Sequence, residues 1–132
     1  MRVFHSSKGV PYVTSQNKGL KPWRDAIKKA AQSAEKTTEP VGPFPAYEAH
    51  VLFLLPRPKS HFKKDGKIKL SAPIEHNKKP DLDKLVRAVF DGVTDAELWG
   101  DDALVNCVSA KKLYAIDKVG ADITIWGTRN VE

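Results

Sequence analysis

The stretch over residues 79–105 constrains the fold most, because its apolar residues recur with the period of an α-helix. The residues at positions i, i+3, i+4, i+7, i+8 and i+11 are Leu82, Leu85, Val86, Val89, Phe90 and Val93. This spacing predicts an amphipathic helix that buries one face. The helix turns Asp83, Arg87 and Asp91 outward, since residues four apart share a face. Asp81 stands at the expected start of the helix, where an aspartate is a favourable N-cap.

Six aspartates lie in this one stretch of an otherwise basic chain: Asp81, Asp83, Asp91, Asp95, Asp101 and Asp102. The run Gly100-Asp101-Asp102 predicts a turn that leads into a strand from Ala103. The acidic side chains therefore come from a helix start and from a turn. These two places can converge in space although they are separated in the sequence.

This pattern resembles the motif of the RusA family of Holliday junction resolvases, and the resemblance covers roughly residues 10 to 127. The family carries the run Asp-x-Asp-Asn-Leu-x-Lys-Ala, then a helix, and then Trp or Phe-x-Asp-Asp before a strand. The chain matches it with DLDKLVRA at residues 81–88 and WGDD at residues 99–102. Lys84 replaces the usual Asn, and Arg87 replaces a functional Lys, which keeps the charge and changes its geometry.

The resemblance implies an endonuclease that depends on Mg²⁺, with Mn²⁺ as a substitute, and that cuts four-way DNA junctions as a homodimer. Each protomer would nick one strand, and closed two-fold assembly would match the two-fold symmetry of the junction. The matching positions imply that Asp81, Asp83 and Asp102 are catalytic and bind the metal. They also imply that Arg87 or Lys79 steadies the scissile phosphate.

The chemistry of phosphodiester hydrolysis agrees with a metal site at these aspartates. The reaction must activate a water and neutralise charge that builds on the phosphate, and Mg²⁺ does both. Mg²⁺ prefers hard oxygen ligands, usually one or two carboxylates together with waters and a substrate oxygen. Asp81, Asp83 and Asp102 would supply such a partial shell. Carboxylates held close together repel one another, so their cluster is unfavourable without a cation.

Structural roles explain the same residues one at a time. Asp81 serves as an N-cap, Asp83 and Asp91 form a helical ion ladder with Arg87, and Asp101 and Asp102 form a turn. We leave Asp91 with this structural role, because Arg87 can pair with it. Asp101 either assists the metal or holds the turn.

A second informative segment, residues 56–80, is strongly basic. It holds eight lysine and arginine residues against Asp65 and Glu75, so it carries a net charge of +6, equal to that of the whole chain. Its charge, prolines and few apolar residues predict a flexible loop. Such a loop suits contact with DNA phosphates, although a solubilising role is the alternative. The candidate DNA-binding residues are Lys63, Lys64, Lys67, Lys69, Lys78 and Lys79.

The remaining elements predict an α+β fold, a small mixed sheet with two main helices, within a single domain of 132 residues. A second helix is expected from Pro22 to about Glu35, and a strand from Ala46 to Leu55. The segments 103–116 and 119–126 predict a strand pair. Cys107 falls inside the first of these strands, where a small core residue is expected.

The N-terminal residues fit no element securely. Relatives of this type open with a strand, and here that strand is expected to be missing, so that the chain either starts at an internal Met or lacks it. A short strand at residues 10–14 is the other expectation for this region. A single cysteine fits a reducing compartment. Without an apolar run long enough for a membrane or a signal peptide, we expect a cytoplasmic protein.

The sequence also fits two other function classes. A non-catalytic DNA-binding protein would keep the basic segment and lack the chemistry, and the missing opening strand and the Arg87 replacement favour it. A metal-dependent hydrolase of small nucleotides would use the same aspartates. The chain has no Gly-rich loop that would cradle the phosphates of such a substrate.

Overall fold

The computed structural model describes the backbone of residues 2–5 and the segments 21–33 and 44–128. The strands and helices, in chain order, are β1 (Arg2–His5), α1 (Lys21–Ser33), β2 (Ala46–Leu55), α2 (Leu82–Asp95), β3 (Val105–Tyr114) and β4 (Gly120–Thr128). Two short 3₁₀ helices, Lys59–His61 and Asp102–Leu104, complete the described elements. The predicted α+β class, with a small mixed sheet and two main helices, is confirmed.

The sheet has four strands in the order β1-β4-β2-β3. β2 pairs with β3 in parallel and with β4 in the antiparallel direction. The prediction that the last two strands pair with each other is therefore wrong, because β2 lies between them. β2 buries every second side chain along its length, and a strand with such a continuous apolar row is most stable at the centre of a sheet, with a neighbour on each edge.

The expectation that the opening strand is missing is also wrong. Residues 2–5 form β1, which pairs antiparallel with β4 and places Arg2 opposite Trp126. Four residues are too few to show a period-2 pattern that sequence analysis could detect. The short strand expected at residues 10–14 and the last residues of the helix expected from Pro22 to about Glu35 lie outside the described part of the chain.

Both helices pack against one face of the sheet and form a single apolar core with it. α1 contributes Trp23 and Ile27, α2 contributes Leu85 and Val89, and the alternate residues of β2 fill the space between them, with Phe53 fully buried. The periods of 3.6 and 2 residues in the sequence produce these two matching apolar surfaces. Neither α1 nor α2 has the length and apolar composition that crossing a bilayer would require.

A close approach between the helices holds α2 in place. A Cβ atom added at Gly92 would lie 2.7 Å from Cγ2 of Ile27 and 2.9 Å from the carbonyl oxygen of Arg24. At the same crossing, Nε and Nη2 of Arg24 donate to the two carboxylate oxygens of Asp95 at 2.6 and 2.9 Å. Glycine is therefore required at this position by the proximity of α1, which the helix pattern alone did not reveal.

The expectation that Cys107 is a core residue is wrong, because its thiol is exposed. β3 is an edge strand of the sheet, and residues 106–109 of this strand are all exposed. An edge strand has a neighbour on one side only, so an apolar or small residue in it is less often covered. Trp99 is buried, whereas Trp126 is 40% exposed.

The basic segment 56–80 is irregular, and apart from the 3₁₀ helix Lys59–His61 it contains only isolated bridges. It is nevertheless joined to the sheet at both ends. Arg57 donates from Nε to the carbonyl oxygen of Ala115 at 3.0 Å and from Nη1 to that of Pro73 at 2.7 Å. At the other end, Glu75 forms a bridge with Leu113 of β3. The flexibility predicted for this segment stays a prediction.

Candidate active site

The start of α2 places the first two candidate aspartates. Asp81 occupies the N-cap position with extended backbone, and its carbonyl oxygen accepts the first helical hydrogen bond from the amide of Leu85 at 3.1 Å. Its carboxylate forms no capping hydrogen bond. Instead the carboxylate lies 3.3 Å from Nζ of Lys79. The N-cap role predicted for Asp81 is thus correct in position and wrong in its side-chain bond, which leaves the carboxylate available to another ligand.

Asp83 follows in the first turn of α2 and is exposed. It shares a helix face with Arg87 and Asp91, as its spacing predicted. A carboxylate near a helix N-terminus is stabilised by the unpaired backbone N–H groups there. Asp81 and Asp83 therefore stand together at the end of α2 where negative charge is favoured.

The turn before β3 gives its two aspartates different tasks. Oδ1 of Asp101 accepts a hydrogen bond from the amide of Ala103 at 2.9 Å and so caps the second 3₁₀ helix. Of the two roles left open for Asp101, the structure shows the one that holds the turn. The neighbouring Asp102 has its carboxylate directed to Arg87, with Oδ2 2.6 Å from Nη1.

Arg87 joins the helix to this turn. Besides its short bond to Asp102, its Nη1 lies 3.7 Å from Oδ1 of Asp91, one helical turn away. The predicted pairing with Asp91 is confirmed. Among the described residues, the ion pairs of Arg87 go to these two carboxylates rather than to Asp83. The arginine side chain is 61% exposed, so its remaining N–H groups face solvent and can meet a phosphate.

Two of the three candidate carboxylates have a cationic partner: Asp81 is paired with Lys79 and Asp102 with Arg87. In the described segments, no three acidic, histidine or cysteine side chains stand close enough together to hold a metal ion. The donor chemistry still fits a divalent cation, because exposed carboxylate oxygens are the ligands that Mg²⁺ prefers. The paired lysine and arginine show that these carboxylates attract positive charge.

The turn that precedes Asp81 is fixed by a residue that sequence analysis missed. Nζ of Lys112, on β3, donates to the carbonyl oxygens of Lys78 at 2.6 Å and of Pro80 at 2.8 Å. In the parallel register Lys112 lies beside Phe53, on the face of the sheet that packs against the helices. A lysine in the inward-facing row of β3 was the signal available in the sequence.

The tip of the basic segment forms a tight turn. The amide of Lys63 donates to the carbonyl oxygen of Lys67 at 2.7 Å, and that of Gly66 donates to the carbonyl oxygen of Lys63 at 2.9 Å. Asp65 accepts from the amide of Lys67, and Gly66 has a φ of 88°. The turn exposes four of the candidate DNA-binding lysines, and two others lie beside Asp81. The tip group is Lys63, Lys64, Lys67 and Lys69, and the second group is Lys78 and Lys79.

The base of this segment packs around one tyrosine ring of β3. The rings of His61 and His76 each lie 4.8 Å from that of Tyr114, and the guanidinium of Arg57 lies 5.3 Å from it. Burial lowers the pKa of His76, and the positive charge of Lys112 lowers it further. Burial likewise lowers the pKa of His61, with Arg57 adding to the effect. Both groups therefore favour the neutral imidazole and serve packing.

Comparison with known protein families places the chain in one of them. A family model described as endodeoxyribonuclease RusA matches residues 2–126. No curated protein sequence matches the chain. The match spans α2, the second 3₁₀ helix and the basic segment, so it includes every candidate site residue described above. It supports a nuclease activity on DNA. The chain belongs to the RusA family of endodeoxyribonucleases.

Proposed function

We propose that the protein is a divalent-metal-dependent endodeoxyribonuclease that resolves four-way DNA junctions by paired, symmetric nicks. The observation that carries this proposal is the position of the family's aspartates. Asp81, Asp83 and Asp102 project from the start of α2 and from the turn before β3. Arg87 joins these two elements, and the basic segment leads directly into the start of α2.

Asp81, Asp83 and Asp102 would hold the cation, which is Mg²⁺ with Mn²⁺ as a substitute. When bound, such a cation supplies an activated water and neutralises charge on the phosphate. In the site as it stands, Asp81 and Asp102 pair with Lys79 and Arg87, so the cation would compete with these side chains for the carboxylate oxygens. An exchange of Lys79 or Arg87 for the cation as carboxylate partner costs little, because exposed ion pairs contribute only about 0–1 kcal/mol.

Lys79 and Arg87 acquire a role through the same exchange. Once released from the carboxylates, both side chains can contact oxygens of the scissile phosphate. The guanidinium of Arg87 can donate two parallel hydrogen bonds to a phosphate, whereas Lys79 acts as a point charge. In this arrangement the residues that neutralise the site without DNA hold the substrate when DNA is bound.

The tip lysines bind the arms of the junction away from the cleavage site. Contacts of this kind neutralise phosphates whatever the base sequence, so they give affinity and leave sequence choice to other contacts. Two protomers related by a two-fold axis would present two sites to the junction, which has the same symmetry. We propose this homodimer as the active form, in the cytoplasm of a bacterial or phage-infected cell.

Cleavage of a synthetic four-way junction tests the proposal. In Mg²⁺ or Mn²⁺ the protein should nick two opposed strands symmetrically, and it should leave a linear duplex of the same sequence intact. In EDTA or Ca²⁺ the junction should be bound and remain whole. Equal cutting of the duplex would contradict junction selectivity, and cutting in EDTA would contradict the requirement for a metal.

A non-catalytic DNA-binding protein is the second candidate, favoured by one observation. The bond between Arg87 and Asp102, at 2.6 Å, occupies Oδ2 of a carboxylate that is proposed as a metal ligand. A protein of this kind would bind the junction in every metal and never cut it. The same cleavage experiment separates the two candidates. Hydrolysis of deoxynucleoside triphosphates without junction cleavage would instead indicate the small-nucleotide hydrolase.

A further inference from the structure

The strand β3 passes beside residues 76–80, which lead into α2, and Lys112 makes three hydrogen bonds with them. Its Nζ donates to the carbonyl oxygens of Lys78 and Pro80, at 2.6 and 2.8 Å. Its own carbonyl oxygen accepts from the amide of His76 at 3.3 Å. One residue of the sheet therefore orders the last residues of the basic segment.

These bonds fix two peptide planes. The carbonyl of Pro80 shares a rigid plane with the amide of Asp81, and the carbonyl of Lys78 shares one with the amide of Lys79. An ammonium that donates to both carbonyls limits rotation of both planes. Charge-assisted hydrogen bonds are about twice as strong as neutral ones, so this constraint is substantial. The residues whose backbone it fixes are those that carry the first candidate carboxylate and the adjacent candidate phosphate contact.

The neighbouring lysine provides a contrast within the same strand. Lys111 points to the opposite face of the sheet, since successive side chains of a strand alternate. Its Nζ lies 3.9 Å from the carboxylate of Glu75, and its side chain is 62% exposed. Both residues have the same charge and length, but only Lys112 contacts the turn before α2 among the contacts of the described residues.

We propose that Lys112 is a positioning residue of the active site: its ammonium holds the Lys78–Pro80 turn and thereby sets the direction of Asp81 and Lys79. Lys112 touches neither substrate nor metal in this role. The inference rests on the proposed function, because it assigns Asp81 and Lys79 the tasks given there. It extends that function to a residue outside the family's acidic motif.

The test compares Lys112→Met with the matched control Lys111→Met. Methionine keeps the length of the side chain and removes the ammonium. A displacement of about 1 Å in a catalytic group can lower a rate about 10²-fold, so Lys112→Met should lower the single-turnover cleavage rate by roughly 30- to 100-fold. Junction affinity should stay within about 3-fold, since the tip lysines remain in place. Lys111→Met should cleave as the wild type does.

Hydrogen exchange supplies a readout that does not depend on activity. In Lys112→Met, amides of residues 76–83 should exchange faster, while those of β2 should stay protected. Lys111→Met should leave both regions unchanged. Mn²⁺ binding, measured by calorimetry, should weaken in Lys112→Met alone. Unchanged exchange at residues 76–83 would overturn the positioning role even if the cleavage rate fell.

A chemical rescue guards against a variant that simply folds poorly. Lys112→Cys in a Cys107→Ser background gives a single thiol, since Cys107 is the only cysteine of the chain. Treatment with 2-bromoethylamine then restores an ammonium on a chain of nearly the same length. Cleavage should rise at least tenfold after treatment, and a failure to rise in the folded protein would overturn the inference.

The outcomes separate this inference from the proposed function. A wild-type protein that neither cuts a junction nor binds Mn²⁺ removes the proposed function, and the inference with it. A wild-type protein that cuts, together with a Lys112→Met variant that cuts equally fast, removes the inference alone.

Discussion

The acidic site and the basic segment hold their charges in different ways. The aspartates of the site lie at the start of α2 and on the second 3₁₀ helix, and two of them have cationic partners, at 2.6 Å for Asp102 and 3.3 Å for Asp81. The tip lysines of the basic segment lie on a tight backbone turn and are exposed. In one region the carboxylates pair with cationic side chains, and the Arg87–Asp102 pair joins two elements. In the other region hydrogen bonds fix the backbone while the side chains extend into solvent.

The difference corresponds to two kinds of task. Groups that take part in a reaction must be held within a fraction of an ångström, which favours regular elements and a supporting shell. Groups that neutralise phosphates need charge and reach, and their precise direction matters less. Lys112 connects the two regions, since it lies on the sheet and holds the turn where the basic segment enters the site. The following predictions test this division.

The largest expected effect comes from the carboxylates. Asp81→Asn, Asp83→Asn and Asp102→Asn should each lower junction cleavage by about 10²–10³-fold, since metal-assisted charge stabilisation is worth several kcal/mol. Junction binding, followed by gel shift, should be equal or tighter because a negative charge near DNA is lost. Asp117→Asn, in the connection before β4, is the matched control. A variant of the three that cuts at the wild-type rate would remove its residue from the site.

Arg87 tests whether an ion pair of the resting site becomes a substrate contact. Arg87→Ala should lower the cleavage rate by about 10- to 100-fold, in the range of a lost charge-assisted contact. The free energy of unfolding should change by less than about 1 kcal/mol, because the pair with Asp102 is largely exposed. Arg87→Lys restores activity if charge alone matters, and stays inactive if the planar fork is needed. Wild-type cleavage by Arg87→Ala would exclude the residue from catalysis.

The lysines of the tip test the other side of the comparison. Replacing Lys63, Lys64, Lys67 and Lys69 by Ala should weaken junction binding and reduce its salt dependence by roughly one slope unit per lost phosphate contact. Single-turnover cleavage at saturating protein should stay near the wild-type rate. The control Lys111→Ala with Lys118→Ala removes charge outside the segment. An unchanged salt slope in the tip variant would show that these lysines only increase solubility.

The sequence predicted single elements well and their arrangement less well. The apolar periods gave α2 and β2 nearly to the residue, because each is amphipathic along its whole length. Strand order depends on which strand has a hydrogen-bonded neighbour on both of its edges. The sequences of β3 and β4 taken alone do not reveal this. The opening strand β1 was too short to show a period.

The candidate site shows the same limit. Spacing on the helix identified Asp83, Arg87 and Asp91 as one face, and this is what the structure has. It did not show that Arg87 pairs with Asp102 across 15 positions of sequence. Contacts between elements depend on how they pack, so Lys112 and Gly92 also remained hidden. The inward-facing position of Lys112 in β3 was visible in the sequence, but its partners and those of Gly92 were not, because they lie on other parts of the chain.

Alanine substitutions at two glycines compare how tightly the two regions are packed. Gly92→Ala would place a Cβ 2.9 Å from the backbone oxygen of Arg24, which cannot rotate away. We expect a loss of about 2 kcal/mol in the free energy of unfolding, as for other overpacked sites. Gly66→Ala meets open space and costs about 1 kcal/mol through its φ of 88°. Denaturant titration measures both, and an equal or larger loss at Gly66 would contradict the division between a packed site and an open loop.

The smallest expected effect is a pH dependence of stability that arises where His61 and His76 pack against the ring of Tyr114. His76 is 8% exposed, and burial and Lys112 lower its pKa in the folded protein. The unfolded chain takes up a proton near the ordinary value of about 6.5, while the folded protein resists protonation until the pH is lower. The unfolded state therefore binds more protons as the pH falls below about 6.5, and the stability contributed by neutral His76 is lost over that range. His61 shifts in the same direction and adds to the effect.

His76→Gln should therefore reduce the loss of stability between pH 7.5 and 5.5, measured by denaturant titration at several pH values. His50→Gln, on the opposite face of β2 from the core, controls for the removal of an imidazole outside this cluster. In hydrogen exchange at pH 5.5, the protection factors of amides near residues 74–76 of the wild type should fall before those of α2 do. A wild-type pH dependence that survives in His76→Gln would mean that neutral His76 does not stabilise the contact between the basic segment and the sheet.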